Sequence, residues 1–218
     1  MIISVVSSSG GVGKSTIAMN LSVAWAQQGL KTLLIDYDPD GTSAHWAARR
    51  SASEHFQCLS IIDDGELAER IDDLNDAFDM IVIDGRPQLD ESATPVVLAD
   101  LVVLPVNPSA KDLFRLNRLV ERVTELTNLV ESETGRKIQT RLVVNNFKPR
   151  QTLSRQLMTA LKTVSMKSAS AKLGDRIAYK QALLDGRGVT ESSTIARTEM
   201  KTLARELLGT LENFEVAS

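Results

Sequence analysis

Residues 7–16 read SSSGGVGKST and come directly after a short apolar run, Ile2 to Val6. Beyond them, Ile17 and Leu21 begin a helical spacing of apolar residues that ends at Gly29, a residue suited to the turn just past a helix. A glycine-rich turn between a buried strand and a helix lets backbone N–H groups and the positive end of the helix hold a polyphosphate. The stretch therefore predicts a phosphate-binding loop, or P-loop.

The side chains of this loop fit the phosphates and Mg²⁺ of ATP or GTP. Lys14 is expected to reach the β and γ phosphates, Ser15 to place its hydroxyl on Mg²⁺, and Thr16 to touch the α phosphate. The predicted nucleotide-binding residues of the loop are Gly10, Gly11, Val12, Gly13, Lys14, Ser15 and Thr16. The general pattern G-x-x-x-x-G-K-[ST] has glycine where this chain has Ser8, so one position of that pattern is not matched.

Two acidic segments follow later strands. The sequence DYDPDG, residues 36–41, puts carboxylates at alternate positions beside the phosphate crevice, where one of them could orient an attacking water. The run Ile81 to Asp84 ends a strand in an acid, the Walker B arrangement that holds Mg²⁺ through water. Either acid alone could simply cap a loop, but with a P-loop present both segments are predicted to belong to one nucleotide site.

Apolar runs and helical stretches alternate along the chain. The apolar runs are Ile2 to Val6, Thr32 to Asp36, Met80 to Asp84, Leu101 to Val106 and Arg141 to Asn145, and further helices are predicted at 66–77, 112–133, 151–164 and 194–213. The alternation predicts a three-layer α/β fold of the P-loop NTPase type, whose mostly parallel, twisted sheet has helices on both faces. A single domain, 1–218, is expected from the length. Residues 164–174 are predicted to be a mobile loop that leads into a short strand.

Composition narrows the class of protein. Hydrophobic residues make up 43% of the chain and aromatic residues 4%, which suits buried parallel strands under helices better than a sandwich or a barrel. The lone cysteine, Cys58, excludes a disulfide framework within one chain. No signal peptide or transmembrane stretch is evident, so a soluble protein of the cytoplasm is expected.

Charge is distributed unevenly along the chain. Residues 136–205 hold 15 Lys and Arg against 4 Asp and Glu, a net of +11, whereas the rest holds 10 against 24, a net of −14. Such asymmetry suggests that the C-terminal third has a face that binds a polyanion, although chance clustering of surface charge gives the same pattern.

Six ordered segments resemble those of the ParA/MinD family of deviant Walker-box ATPases. They are GGVGKST, DYDPDGTS, IVID, LVVLPVNPS, VVNN and DRIAYKQALLDGRGVTE, which together span nearly the whole chain. Small ParA-type partition ATPases look closer than MinD. The resemblance implies slow ATP hydrolysis, a homodimer with ATP at its interface, nonspecific DNA binding by that dimer, and an adaptor protein that stimulates hydrolysis. Such proteins position or segregate a plasmid or another cargo on the nucleoid.

The resemblance also implies roles for individual residues. It makes Asp38 the acid that orients water, Asp84 the Walker B acid on Mg²⁺, and Asn145 or Asn146 a contact to adenine. Asp36 is expected to support the metal shell or the geometry of the loop. ATP and Mg²⁺ are the implied cofactors, and a cytoplasmic, nucleoid-associated location is implied for the DNA-bound state.

The sequence departs from the family at one position. The family's signature lysine precedes Gly-Gly-Val-Gly-Lys and reaches the phosphates held by the partner subunit, whereas this chain has Ser9 there. Carboxysome-positioning relatives of ParA, the maintenance of carboxysome distribution A branch, can have serine at this place. The chain resembles that branch in this respect.

Another cation is predicted to replace the missing lysine, because a positioned cation at a phosphoryl-transfer site is worth roughly 10³ to 10⁵ in rate. Lys148 is preferred, since its flexible stem can deliver a charge from a distance. Arg150 and Arg86 are the other candidates, and each of the three could instead be a solvated surface cation. Alternatively, Ser9 leaves hydrolysis slow and the ATP-bound state long-lived.

In view of the resemblance, the basic region becomes a predicted DNA-binding surface. The candidate residues are Lys167, Lys172, Arg176, Arg197, Lys201 and Arg205. No helix-turn-helix pattern is evident, so contact with phosphates without sequence reading is expected, with a steep dependence on salt. Membrane binding of the MinD type is not expected, because residues 208–218 are acidic rather than basic.

Two other functions stay open. A metabolic ligase or kinase of the P-loop class would need a second substrate pocket, for which the loops offer few convergent polar residues. A nucleotide-controlled binding switch with negligible hydrolysis is compatible with Ser9.

Overall fold

A computed structural model describes residues 1–87 and 92–215, and a seven-stranded parallel sheet forms its centre. The strands are β1 (Ile2–Val5), β2 (Thr32–Asp36), β3 (Phe56–Ser60), β4 (Met80–Asp84), β5 (Leu101–Val106), β6 (Gln139–Phe147) and β7 (Ser168–Gly174). They lie in the order β3-β2-β4-β1-β5-β6-β7, and each pairs in parallel with its neighbours. The carboxyl ends of all these strands therefore meet at one edge, where ligands bind in open α/β sheets.

Helices connect the strands and cover both faces of the sheet. They are α1 (Lys14–Ala26), α2 (Thr42–Ala47), α3 (Asp64–Ala77), α4 (Thr94–Leu98), α5 (Ala110–Thr134), α6 (Thr152–Ala160), α7 (Ile177–Leu184) and α8 (Ile195–Glu215), with a short 3₁₀ helix at Val189–Glu191. Within the described ranges, no helix combines the length and the apolar character that crossing a bilayer requires.

Alternating side chains bury the strands β1, β2, β4 and β5 on both faces. In β4, Val82 packs with residues of α1 and α8, whereas Ile81 and Ile83 pack with α3 on the opposite face. In β5, Val103 faces α1 and α8 while Val102 faces α5. This packing confirms the predicted three-layer α/β fold of the P-loop NTPase type.

Residues 164–174 contain the predicted loop, at 164–167, and the predicted strand before Asp175, which lies at the edge of the sheet. Seven of them make up β7, in which Ala169 and Ala171 pack beneath α8. The Glu206 carboxylate of α8 accepts hydrogen bonds from the backbone N–H and the hydroxyl of Ser170, both at 2.7 Å. It also accepts from the Ala171 N–H at 3.1 Å. Glu206 of α8 thus binds N–H groups of β7, which has no further strand on its outer side among the described residues.

Several helix boundaries differ from the predicted ones. The long helix does not begin after Asp112, because Ser109 is its N-cap and accepts a hydrogen bond from the Asp112 N–H at 3.1 Å. Helix α6 ends at Ala160, four residues before the predicted end, and turns follow it. The sequence patterns also missed β3, α2, α4 and α7.

Candidate nucleotide-binding site

The loop after β1 forms the base of the site. Gly11 and Gly13 have φ angles of +79° and +94°, a left-handed region that glycine enters without strain. A Cβ atom at Gly13 would lie 2.2 Å from Nδ2 of Asn145, so a larger residue does not fit there. Helix α1 begins at Lys14, which brings the unpaired N–H groups of its first turn to the loop.

Lys14 and two acids form the charged centre of the site. Lys14 is buried, and this burial lowers its pKa, while the Asp84 and Asp38 carboxylates oppose the shift. Asp84 at the end of β4 is fully buried, and its Oδ2 atom accepts a hydrogen bond from the Ser43 hydroxyl at 2.7 Å. Its burial raises the pKa of Asp84 to about 7, although hydrogen bonds from Ser43 and Ser15 favour the ionised form.

A magnesium ion fits the oxygen atoms at this point. Mg²⁺ in nucleotide sites takes one or two carboxylates together with phosphate oxygens and waters. The Oδ1 atom of Asp84 is buried and has no hydrogen-bond partner among the described residues, and the Ser15 side chain is near enough to lower the pKa of the same carboxylate. No group of three or more His, Cys, Asp or Glu in the described ranges could hold a metal alone. An ion here would therefore depend on the phosphates of the nucleotide.

Asp36 fixes the loop that follows β2. Its Oδ2 atom accepts a hydrogen bond from the Ala44 N–H at 2.7 Å, and its Oδ1 atom accepts from the Asp38 N–H at 3.2 Å. The side chain is fully buried, and burial raises its pKa. Both carboxylate oxygens thus bind backbone groups of the loop.

Asp38 lies on the same loop and interacts electrostatically with Lys14. Its Oδ1 atom accepts a hydrogen bond from the Asp40 N–H at 3.1 Å, and its carbonyl oxygen accepts from the Gly41 N–H at 2.9 Å. Gly41, with a φ angle of +65°, then starts α2. The turn therefore holds the Asp38 carboxylate, which is 7% exposed, near the phosphate loop.

The two asparagines at the end of β6 have different surroundings. Asn145 is buried, and its Nδ2 atom donates a hydrogen bond to the Val12 carbonyl oxygen at 2.8 Å. Asn146 is exposed, has a φ angle of +53°, and donates to Oδ1 of Asn107 at 3.2 Å. Asn145 thus supports the phosphate loop, and Asn146 lies on the open side of the site.

A cavity of about 180 Å³ adjoins the phosphate loop. Its lining residues are Gly11, Gly13, Thr16, Asn145, Asn146, Asp175, Arg176, Tyr179, Lys180 and Leu183. The Tyr179 hydroxyl is buried without a hydrogen-bond partner in the described ranges, and burial raises its pKa. Tyr179, Lys180 and Leu183 belong to α7, and the sequence reasoning assigned them no role. The only signal was their position in the stretch DRIAYKQALLDGRGVTE.

The side chain at position 9 points into the protein. Ser9 is 4% exposed, and its hydroxyl donates to Oδ1 of Asp112 at 3.3 Å. Close by, the exposed Arg115 of α5 donates from Nη1 to the Ser8 carbonyl oxygen at 3.3 Å. Sequence reasoning missed Arg115, because only the fold brings the first turns of α5 to the loop.

The three cations predicted to replace the signature lysine lie in different environments. Lys148 forms a salt bridge of 2.6 Å with Asp175, a residue that lines the cavity beside the loop. Arg86 stacks 4.9 Å from the centre of the Tyr37 ring and donates to the Ile62 carbonyl oxygen. Arg150 is exposed in the turn before α6.

The predicted DNA-binding residues lie on β7 and α8 and near the nucleotide cavity. Arg197, Lys201 and Arg205 recur every four residues along α8 and so share one side of this helix. Arg176 pairs with Glu199 at 2.6 Å and lines the nucleotide cavity. Lys172 lies 5.8 Å from the centre of the Phe147 ring, and its place in β7 alternates with the residues that pack on α8. Lys167 directly precedes β7.

These features define a P-loop nucleotide-binding protein. The profile of the CobQ/CobB/MinD/ParA nucleotide binding domain matches residues 3–189, and the chain therefore belongs to this family. This membership confirms the resemblance to ParA and MinD that the sequence motifs indicated.

Individual relatives include proteins of carboxysome distribution. The chain is 26% identical over 192 residues to maintenance of carboxysome distribution protein A of Halothiobacillus neapolitanus, covering 87% of this chain and 86% of that protein. It is 36% identical over 123 residues to the protein of the same name from Gloeobacter kilaueensis, covering 56% of each. Among solved structures, apo McdA from Cyanothece aligns with a TM-score of 0.78 at 19% identity, covering 94% of this chain and 98% of that one. The last similarity shows the shared fold.

Proposed function

We propose that this chain hydrolyses ATP with Mg²⁺ as a ParA-type ATPase. The observation that carries the proposal is the burial of Lys14 at the start of α1, where the charges of Asp84 and Asp38 act on it. A cation for the phosphates, a carboxylate for the metal and a second carboxylate for water thus surround one phosphate loop. Transfer of a phosphoryl group to water requires these three parts.

Each residue has a proposed step in hydrolysis. Lys14 neutralises charge on the β and γ phosphates, and Thr16 positions the α phosphate. Asp38 orients the attacking water and accepts its hydrogen bond. Ser15 and Asp84 would hold Mg²⁺, which supplies charge neutralisation on the phosphate oxygens when bound. Asp36 keeps the loop of Asp38 in place through its two backbone hydrogen bonds.

The remaining contacts to ATP are also proposals. The backbone from Gly10 to Gly13 binds the phosphates, and Asn146 lies where it can contact adenine, while Asn145 supports the loop from below. Lys148 supplies the second cation, with the exposed Arg115 as a further candidate because it already lies at the rim of the loop.

We further propose that ATP closes a homodimer around the nucleotide and that this dimer binds DNA nonspecifically in the cytoplasm, on the nucleoid. An adaptor protein would then stimulate slow hydrolysis, and the cycle would position a plasmid or a carboxysome-like cargo. The similarity to carboxysome distribution proteins and to the Rhizobium radiobacter protein ParA, 30% identical over 113 residues, supports this cycle. The whole chain, 1–218, would act as one domain.

A binding switch with negligible hydrolysis is the second candidate. It is favoured by the inward direction of Ser9, whose hydroxyl binds Asp112 and leaves no cation at the usual place of the signature lysine. In this case ATP would lock the DNA-bound state, and release would require nucleotide exchange.

Phosphate release in the presence of ATP and Mg²⁺ tests the proposal. We expect turnover by the wild-type protein and none by Lys14→Ala. Lys31→Ala serves as the matched control, because Lys31 is exposed before β2 and its ammonium group lies over the Phe78 ring. Equal turnover in Lys14→Ala and the wild type would refute the ATPase. A gel mobility shift of duplex DNA with ATP, with ADP and without nucleotide completes the test. ATP-locked binding without turnover would identify the switch.

A further inference from the structure

A polar groove lies at the other end of α1 from the phosphate loop. It consists of two adjoining cavities of about 690 and 320 Å³, which share residues 50–53 and Phe56. The larger cavity is lined by Val23 and Gln27, which are nine and thirteen residues beyond Lys14, or roughly 14 to 20 Å along a helix. No residue of the phosphate loop lines either cavity.

Two exposed arginines line the larger cavity, and one of them, Arg187, interacts electrostatically with Glu191. Arg49 follows α2 and Arg187 follows α7. Neither guanidinium group forms a hydrogen bond or a salt bridge with another residue of the described ranges. A guanidinium group binds a carboxylate through two parallel hydrogen bonds, which makes this pair a candidate receptor for acidic groups.

A third arginine, Arg50, lines the same cavity and already has partners of its own. The Arg50 side chain is only 10% exposed, and its guanidinium lies 5.0 Å from the Trp46 ring and 5.1 Å from the Phe56 ring. It donates hydrogen bonds of 2.9 and 3.0 Å to Glu191 and one of 3.0 Å to the Gly186 carbonyl oxygen. Arg50 is therefore held in place by these partners. A negatively charged ligand would bind the other two arginines, Arg49 and Arg187.

We propose that this groove binds an acidic, extended peptide segment of a partner protein. Asp185 also lines the larger cavity, whereas the Glu191 carboxylate there is paired with Arg50, so a polyphosphate or a DNA backbone would meet the charge of Asp185. A peptide can place its carboxylates on Arg49 and Arg187 and turn its own N–H groups toward Asp185. The ligand is therefore expected to carry both acidic side chains and free backbone donors.

The smaller cavity explains why the segment should be extended. It is lined by Gln57 and Cys58 of β3, which is the last strand on that side of the sheet among the described residues, and Phe56 at the start of β3 forms a single bridge with Ser53. A strand edge beyond such a bridge offers backbone N–H and C=O groups that an extended peptide can bind as an added strand. Because the two cavities share residues 50–53 and Phe56, one segment can follow β3 and reach the arginines.

Helix α2 joins this groove to the nucleotide site. At its start Ser43 donates to Asp84, and near its end Trp46 packs against Arg50 and donates from Nε1 to the Arg187 carbonyl oxygen at 3.2 Å. The helix has six residues, so these ends are only about 9 Å apart. A peptide held by the arginines would fix α2 and, through Ser43, the carboxylate of Asp84.

The segments that carry the two arginines are also in direct contact. Gly186 has a φ angle of +64°, and a Cβ atom there would lie 2.8 Å from Cβ of Arg49. The turn after α7 thus packs against the end of α2.

The identity of the partner rests on the proposed function, because the peptide is taken to belong to the adaptor that stimulates ATP hydrolysis.

Selection from a displayed library of random peptides of about 12 residues, on nucleotide-free protein, tests the binding site. We expect the selected peptides to be enriched in Asp and Glu. Their affinity should fall at least about tenfold in Arg49→Glu/Arg187→Glu, and less than about twofold in the control Lys201→Glu/Arg205→Glu, which has the same change of charge. Arg49→Gln/Arg187→Gln replaces the first variant if charge reversal prevents folding.

Three results would overturn the proposal. The first is a selection without acidic enrichment or without any binding peptide. The second is an equal loss of affinity in the control variant, which would show that net charge alone binds the peptides. The third is displacement of the peptides by sodium tripolyphosphate or duplex DNA at lower concentrations than an acidic peptide requires.

Phosphate release with and without a selected peptide tests the link to the nucleotide site. The peptide should change turnover severalfold in the wild type and leave Arg49→Glu/Arg187→Glu at its basal rate. If the wild type hydrolyses ATP and the peptide binds without changing the rate, the link through α2 is wrong. If the wild type shows no hydrolysis at all, the proposed function fails, whereas the result of the binding selection stands.

Discussion

The Nδ2 atom of Asn145 donates a hydrogen bond to the Val12 carbonyl oxygen, 2.8 Å away, and so ties the end of β6 to the phosphate loop. The same amide occupies the space into which a Cβ atom at Gly13 would project. The loop is therefore held from below by a residue of a strand that lies two places away in the sheet.

This contact leads to a prediction about the two asparagines. Asn145→Ala removes a buried hydrogen bond worth about 1 kcal/mol, so we expect the affinities for ATP and GTP to fall together by about five- to tenfold. Asn146→Ala is the matched comparison, and as an adenine contact it should lower only the affinity for ATP. Titration with fluorescent ATP and GTP analogues measures both. A selective loss of ATP affinity in Asn145→Ala would contradict the supporting role.

A second prediction concerns the cost of burying Asp84. Burial raises the pKa of Asp84 to about 7, whereas the pKa of an Asp in an unfolded chain is about 3.9. Between these two pH values the folded protein holds a proton on Asp84 that the unfolded chain has lost. The free energy of unfolding contributed by this group is therefore fully present below about pH 4 and falls as the pH rises to about 7.

Asp84→Asn should remove this pH dependence and abolish turnover with Mg²⁺. In the metal-free protein at pH 8 we expect a gain of roughly 1 to 4 kcal/mol in the free energy of unfolding. Urea denaturation in EDTA at pH 5 and pH 8 measures the effect. A variant that is less stable than the wild type at pH 8 would show that Asp84 stabilises the empty site.

A third prediction addresses the cation that replaces the signature lysine. If Lys148 contacts the transferred phosphate, Lys148→Ala should lower ATP turnover and ATP-dependent dimerisation at least about tenfold. Asp175→Asn breaks the 2.6 Å salt bridge but leaves Lys148 in place, so turnover and dimerisation should stay at the wild-type level. Unchanged turnover in Lys148→Ala would reject this residue, and a loss in Arg115→Ala would assign the charge to Arg115.

A fourth prediction concerns DNA binding through α8. Each lost phosphate contact lowers the slope of log affinity against log salt by about 0.9, so Lys201→Ala/Arg205→Ala should lower it by about 2. The control Lys31→Ala/Arg70→Ala removes two exposed cations before β2 and on α3. Fluorescence anisotropy of a labelled duplex with ATP between low and high salt gives the slopes. Equal slopes in all three proteins would exclude α8 from the interface.

The interior of the sheet could be predicted because its strands carry their own signal. The sequences of β4, MIVID, and β5, LVVLPV, are apolar without interruption, as strands buried on both faces require. The edge strands carry a weaker signal, since β3 reads FQCLS and is mostly accessible, and β7 reads SASAKLG with small residues. Their strand form depends on pairing with β2 and β6, which a local pattern does not contain.

The place of the candidate site in the fold could be predicted, but the contacts within it could not. A parallel sheet brings the ends of β1, β2 and β4 together, so motif order alone placed Lys14, Asp38 and Asp84 at one edge. The bond from Ser9 to Asp112 joins residues 103 positions apart, and nothing in either segment indicates it. The groove around Arg50 was missed for a similar reason, because α2 is too short to show a helical period.

The two outer edges of the sheet differ, and the difference limits how folded molecules can associate. Carboxylates of α8 bind the N–H groups of Ser170, Ala171 and Gly174 along β7, whereas the outer edge of β3 carries no such cover in the described part of the chain. A fibre that grows by strand pairing needs two open edges on every molecule. When two of these molecules join through their β3 edges, neither has an open edge left. Association of folded molecules through their sheets therefore stops at a dimer.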